Sequence, residues 1–235
     1  GITTLVIGVS GGIDSAVTST LSAKTGLPTI VLNMPIHQDP EQYELSNKHI
    51  SWLESNFDNV EGRLVDLTGT YDKFNEQMKE HDLSSLALAN SRARLRMTTL
   101  YAIAGSNGGI VVGTGNKVED FGVGFFTKYG DGGVDISPIA DLMKSEVYEI
   151  AKALDIIEEI QQAAPTDGLW DDGRTDEEQI GATYAELEWA MMYEENKSED
   201  LTERQRQVLE IYRGFNKANS HKMNPIPIFE MNNRR

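Results

Sequence analysis

Apolar positions along the first half of the chain alternate between two periodicities. Thr3–Val9 is a near-continuous apolar run of strand length, and Asp14–Lys24 reads as a helix with Ile13, Ala16, Val17, Thr20 and Leu21 along one face. Gly26-Leu27-Pro28 breaks that pattern before Thr29–Asn33 resumes as a second strand. Pro40–Phe57 predicts a helix with Tyr43, Ile50, Leu53 and Phe57 inward, and Gly62–Leu67 a third strand. Two helical stretches, 70–80 and 85–105, lead to Gly109–Gly113, a short apolar run expected to be a fourth buried strand. Gly122–Pro138 is a glycine-rich loop, and Ala140–Leu154 returns to helix with Val147, Ile150, Ala151 and Leu154 as its stripe. Pro165–Asp176 is a further loop, followed by helices over Glu177–Tyr193 and Thr202–Asn219.

Strands separated by helices of this length require crossover connections, and hence a parallel sheet. The expected fold is therefore α/β, a doubly wound parallel sheet flanked by helices, with a helical C-terminal portion and a single domain over 1–235. Ligands in such sheets lie beyond the carboxyl ends of the strands, which gathers segments 8–15, 33–40 and 113–120 around one crevice.

Composition narrows what that crevice handles. In a chain of 235 residues no apolar run reaches the ~18–20 residues of a membrane span, and the first strand has no basic segment before it, so a cytoplasmic protein with no membrane partner is expected. The formal net charge of -16 argues against a nucleic-acid partner, because phosphate backbones call for a basic footprint. The absence of cysteine removes disulfides, thiolate metal sites and any thiolate nucleophile. Four scattered histidines show no metal-ligand spacing, so an expected metal is a hard ion held by carboxylate and phosphate oxygens, Mg²⁺ first among them.

The first strand runs into Gly8-Val9-Ser10-Gly11-Gly12-Ile13-Asp14-Ser15 and then a helix. Paired glycines let the backbone approach an anion, and the free N–H groups and dipole of a helix start favour negative charge. Ser10 and Ser15 add hydroxyl donors. Asp14 is a misfit in a phosphate cradle unless a cation lies between the two, and Mg²⁺ bridging Asp14 and pyrophosphate resolves the conflict. Neither G-x-x-x-x-G-K-[ST] nor a strand-linked G-x-G-x-x-G occurs. Without the P-loop lysine, attack at the α-phosphorus of ATP is more natural than hydrolysis at the γ-phosphorus.

Ser10–Ser15 (SGGIDS) resembles the pyrophosphate loop of the N-type ATP pyrophosphatases, which have the adenine-nucleotide α-hydrolase-like fold and cleave ATP to AMP and pyrophosphate. Further blocks are similar to ammonia-dependent NAD⁺ synthetases: Gly113–Glu119 (GTGNKVE), Gly124–Gly133 (GFFTKYGDGG), Pro138–Lys144, Pro165–Trp170, Arg92–Met97 and His221-Lys222. They follow the family's order over nearly the whole chain.

The resemblance implies a ligase that amidates nicotinic acid adenine dinucleotide (deamido-NAD) with ammonia through an adenylated carboxylate, giving NAD⁺, AMP and pyrophosphate. It assigns Gly8, Ser10, Gly11, Gly12, Asp14, Ser15, Thr114, Lys144 and Thr166 to ATP, and Asp14 and Glu119 to Mg²⁺. Arg94, Lys128, Asp135, His221 and Lys222 match contacts to the dinucleotide. Lys144 is expected to stabilise charge on the phosphates, and Asp131 to bind ammonium and take its proton. The resemblance also implies a homodimer. With no cysteine for a glutaminase nucleophile in this chain, the ammonia should arrive free or from another polypeptide. Two rivals are another adenylating enzyme of the same superfamily, and a non-catalytic nucleotide-binding module.

Overall fold

The computed structural model describes residues 1–165, 175–196 and 201–231, the side chains of 194–196 excepted. Four strands, β1 (Thr4–Gly8), β2 (Thr29–Asn33), β3 (Val60–Leu64) and β4 (Gly109–Val111), form one sheet in the order β3-β2-β1-β4. All three pairings are parallel, with Leu5 opposite Thr29, Thr29 opposite Val60 and Leu5 opposite Ile110. Helices α1 (Ile13–Lys24), α2 (Pro40–Asn56), α3 (Thr68–Met78) and α4 (Ser85–Ser106) connect them.

The two central strands β1 and β2 are buried at nearly every position because both of their faces are covered. Leu5, Ile7 and Val31 pack with Ala23 of α1 and with Ile50 and Leu53 of α2 on one side. Val6, Ile30 and Leu32 pack with Tyr71 of α3 and with Met97, Leu100 and Ala104 of α4 on the other. Since β1 neighbours both β2 and β4, the chain order reverses across β1. The crevice between the carboxyl ends of β1 and β4 is thus the switch point where ligands enter such sheets.

Several boundaries differ from expectation. The third strand is Val60–Leu64 rather than Gly62–Leu67; β3 is an edge strand with three of its five positions partly covered and two exposed, so no continuous apolar run marks its bounds. Residues 117–123, the last part of which was expected to be loop, form a π-helix (Lys117–Val123) capped by Asn116, whose Oδ1 accepts from Val118 and Glu119 N–H at 3.0 Å each. The helix expected from Ala140 starts at Lys144 as α5 (Lys144–Ala153), after a turn. A short α6 (Glu158–Gln162), not anticipated, follows.

The helix expected over Glu177–Tyr193 is two, α7 (Asp176–Ile180) and α8 (Tyr184–Asn196), divided at Gly181, whose φ of 85° terminates the first. The final helix, α9, runs on to Met223 (Glu203–Met223). Its Val208 and Leu209 pack with Leu187 and Met191 of α8 and with Val118 and Val123 of the π-helix. That second core pins the π-helix beside the crevice.

Candidate active site

A cleft of about 510 Å³ opens at the switch point and is lined by Gly8, Ser10, Gly11, Gly12, Asp14, Ser15 and Thr114, together with Glu119, Asp131, Lys144 and Lys222. The phosphate-type turn follows directly from β1. Gly11 has φ 94°, and a Cβ there would come within 2.7 Å of the Gln42 carbonyl oxygen, so glycine is required on both counts. Gly12 caps α1 without a side-chain hydrogen bond, which leaves the cap to another acceptor. Ser15 Oγ donates to Gly12 O at 2.9 Å, accepts from Ser10 N–H at 3.2 Å and lies 3.2 Å from Ser10 Oγ, so the loop is held closed by its own hydroxyls.

The centre of the cleft is an ion cluster. Lys144 Nζ lies 2.6 Å from Asp14 Oδ2 and 2.8 Å from Glu119 Oε1. Asn116 Nδ2 donates to the other oxygen of Asp14 at 3.0 Å, so the residue that caps the π-helix also orients the loop carboxylate. Tyr184 Oη donates to Glu119 Oε1 at 2.5 Å and is also 3.2 Å from Asp176 Oδ2, while its ring lies 4.8 Å from Lys144 Nζ. Three distant stretches, 14–15, 116–119 and 144, thereby meet at one point.

Burial opposes the charge on Lys144, yet the two carboxylates more than offset it and hold its pKa above the ordinary lysine range. Burial also acts on Glu119, but Lys144 and the hydrogen bonds from Lys144 and Tyr184 prevail and keep it low. Asp14 is raised, chiefly by burial, with Glu119's charge added. Further along the cleft, burial raises Asp131, whose Oδ1 accepts from Thr127 N–H at 3.0 Å. Asp120 is raised well above the usual carboxylate range by burial and by its neighbours Asp131, Glu119 and Asp14.

The residues predicted for the dinucleotide divide into two groups. Lys222 lines the cleft, and its Nζ donates to Gly124 O at 2.6 Å and Phe126 O at 2.7 Å. Arg94, Lys128 and His221 lie outside the lining as a linked set: Arg94 Nε donates to Lys128 O at 3.3 Å and Lys128 Nζ to His221 O at 2.5 Å. Asp135 is not brought to the cleft either. Its carboxylate accepts from Val111 N–H at 2.8 Å and from Tyr101 Oη at 3.1 Å beside β4. Thr166 lies outside the described residues.

Arg96, Asn116, Asp120 and Tyr184 were not anticipated as site residues. Arg96 lines the cleft, with Nε donating to Met34 O at 2.9 Å and Nη2 to Gln38 Oε1 at 3.0 Å, and burial lowers its pKa to about 10. A signal for it existed, because 96 is three residues from Ala93 and four from Leu100 on the inward face of α4, and Arg94 is not on that face. Tyr184 gave none, since its role arises only where α8 packs against α5.

The sequence model of NAD synthase matches residues 1–225 of the chain. The chain belongs to the NAD synthase family. It is 40% identical over 200 residues to an NH3-dependent NAD(+) synthetase from Carboxydothermus hydrogenoformans, covering 83% of this chain and 79% of that protein. Among solved structures, this NAD synthase family member is similar to an NMN synthetase from Francisella tularensis at TM-score 0.85 and 35% identity, covering 97% and 89% of the two chains. It is also similar to an NH3-dependent NAD synthetase from Campylobacter jejuni at TM-score 0.77 and 26% identity, covering 97% and 90%.

For the metal implied by the family, the donor set fits. Asp14 and Glu119 are hard oxygen ligands at one point of the cleft, and Mg²⁺ is commonly held by one or two carboxylates together with substrate phosphates. Among the described residues no group of three or more His, Asp or Glu side chains could hold an ion unaided, so the phosphates would have to complete the shell. Among those residues, too, no helix is long and apolar enough to cross a membrane.

Proposed function

We propose that the chain is an ammonia-dependent NAD⁺ synthetase that works in the cytoplasm as a homodimer and uses Mg²⁺ with ATP. The observation that carries the reading is the meeting of Asp14, Glu119 and Lys144 beside a glycine-rich helix start at the switch point. The N–H groups around Gly11–Ile13 and the hydroxyls of Ser10 and Ser15 would bind the phosphates of ATP, with Thr114 across the crevice, and Thr166 is assigned to the same substrate. The nicotinate carboxylate attacks the α-phosphorus, and the P–O bond to pyrophosphate breaks. Mg²⁺ bound at Asp14 and Glu119 would neutralise charge on the departing pyrophosphate. Lys144 keeps those two carboxylates oriented and adds positive charge beside the phosphates.

In the second half, ammonia attacks the acyl carbon and AMP leaves with the electrons of the C–O bond. Ammonium must first lose a proton to become a nucleophile, and Asp131, with its raised pKa, is suited to accept it. Lys222 within the cleft, and Arg94, Lys128, Asp135 and His221 outside its lining, are assigned to the acid substrate.

The experiment is to mix protein, ATP, Mg²⁺, ammonium and deamido-NAD. NAD⁺ and AMP should appear in equal amounts; ADP in place of AMP, or binding of ATP without turnover, would sink the reading. A second reading is that the mononucleotide acid is the better substrate. It is favoured by the likeness to the NMN synthetase at TM-score 0.85, and offering nicotinic acid mononucleotide in the same assay separates the two by their kcat/KM.

A further inference from the structure

The phosphate turn rests on a helix face that the chemistry above does not use. Gln42, Leu45, Ser46 and His49 follow one another at helical spacing along α2. A Cβ at Gly11 would meet Gln42 O, Leu45 Cβ and Ser46 N at 2.7–3.2 Å, so this face lies directly behind the turn. Ser46 Oγ donates to Val9 O at 2.8 Å. One turn further on, His49 Nε2 lies 3.0 Å from Ser19 Oγ of α1. Ser19, Ser46 and His49 are buried and none of them lines the cleft, so any effect on a ligand passes through other residues.

The hydrogen bonds of Ser19 fix the state of the imidazole. Its single hydroxyl proton has Ser15 O at 2.7 Å and Ala16 O at 3.1 Å. With that proton committed to α1, the bond to His49 needs Nε2–H as donor and Ser19 Oγ as acceptor. A chain of bonds then runs from His49 through Ser19 to Ser15 O, and Ser15 Oγ closes the turn through Gly12 O and Ser10 N–H. Stacking on Trp52, with centroids 5.6 Å apart and planes at 18°, holds the ring in place. Nδ1 is buried without a partner, so a second proton would find no acceptor there. Burial accordingly lowers the His49 pKa to about 4. The charged residues of α1 are Asp14 and Lys24, and those of α2 are Glu41, Glu44, Lys48 and Glu54, with Lys48 3.6 Å from Glu159 of α6. None of them contributes to that shift.

We propose that His49 is a positioning residue for ATP: as a neutral Nε2–H donor it fixes, through Ser19, the first turn of α1 and with it the phosphate turn. The inference rests on the reading that this turn binds ATP, and it adds a residue outside the cleft. Acid opposes the arrangement. As pH falls from about 6.5 towards 4, the unfolded chain takes up a proton that the folded ring refuses, and the folded state loses stability.

The test is calorimetric titration of the whole chain with MgATP, alongside the amidation assay. His49→Phe keeps an aromatic ring against Trp52 but loses the donor. Its Kd for MgATP should rise about fivefold, the worth of one neutral hydrogen bond, with the KM for the acid substrate unchanged. His49→Gln offers an amide N–H near the position of Nε2 and cannot titrate, so it should bind MgATP within about twofold of the parent. Ser19→Ala breaks the same chain from α1 and should weaken MgATP as His49→Phe does, which keeps the test open if that variant does not fold. Parental affinity in His49→Phe and Ser19→Ala overturns the inference, and so does equal weakening in His49→Phe and His49→Gln. Between pH 7 and 4.5 the unfolding equilibrium constant of the parent should rise on the order of fiftyfold more than that of His49→Gln. Equal acid sensitivity in the two would overturn the neutral donor. A parent that binds MgATP but forms no amide defeats the functional reading alone, whereas parental affinity in the variants of an active parent defeats only this inference.

Discussion

Lys144 brings a full positive charge to a position where 3% of its side chain reaches solvent, and it does so only because Asp14 and Glu119 flank it. Removing one partner of a buried ion pair leaves charge without compensation, typically at a cost of ~3–5 kcal/mol. Lys144→Met should therefore be less stable than the parent by about that margin and unfold at a lower denaturant concentration. It should also recover part of the loss in millimolar Mg²⁺, because the cation then neutralises the same two carboxylates. Chemical denaturation with and without Mg²⁺ checks both outcomes, and a variant as stable as the parent would show that the cluster is not coupled as the distances imply. Asp14 was legible from its neighbours in the chain, since a carboxylate within a glycine-rich phosphate turn raises an electrostatic question at once. Tyr184 was not, because it matters through Glu119, 65 positions away in the chain.

Among the elements, the π-helix Lys117–Val123 does most to shape the cleft. Its wider turn places Glu119 towards Lys144 while Asp120 lines the same cleft, and such turns often occur at functional sites. Asn116 ties this element to the phosphate loop by accepting from two N–H groups of the helix start while donating to Asp14. Asn116→Ala loses the cap and the tie together. Caps alone are worth ~1 kcal/mol, so a loss of about 1–2 kcal/mol in stability is expected, with a larger proportional fall in kcat because Asp14 and Glu119 both lose their orientation. Unfolding measurements together with the NAD⁺ assay test this, and an unchanged kcat would be the contrary result. The hydrophobic pattern alone placed this segment partly in a loop. A π-helix has no distinctive apolar period over seven residues, and this one is held by packing against α8 and α9.

Over the whole molecule, the net charge of -16 sets the conditions under which copies associate. Two like-charged chains repel at long range, and salt screens that repulsion over a Debye length of ~10 Å at 0.1 M. The proposed homodimer should therefore tighten as ionic strength rises from about 0.01 to 0.15 M. Sedimentation equilibrium should approach twice the chain mass of 26.1 kDa at the upper end, and a constant 26.1 kDa across the range would contradict the dimer.

The sequence by itself determined the α/β alternation, the strand positions to within three residues, and the phosphate turn with its paired glycines and Asp14. These depend on local periodicity and backbone chemistry, which neighbouring residues carry. The tertiary structure decided which side chains share the cleft: Arg96 rather than Arg94, Lys222 but not His221, and Lys144 clamped between Asp14 and Glu119. Those outcomes follow from helix phase, from the strand order that puts β4 beside β1, and from the packing of α8 and α9 on the π-helix. Each arises from residues far apart in the chain, so no local pattern contains it.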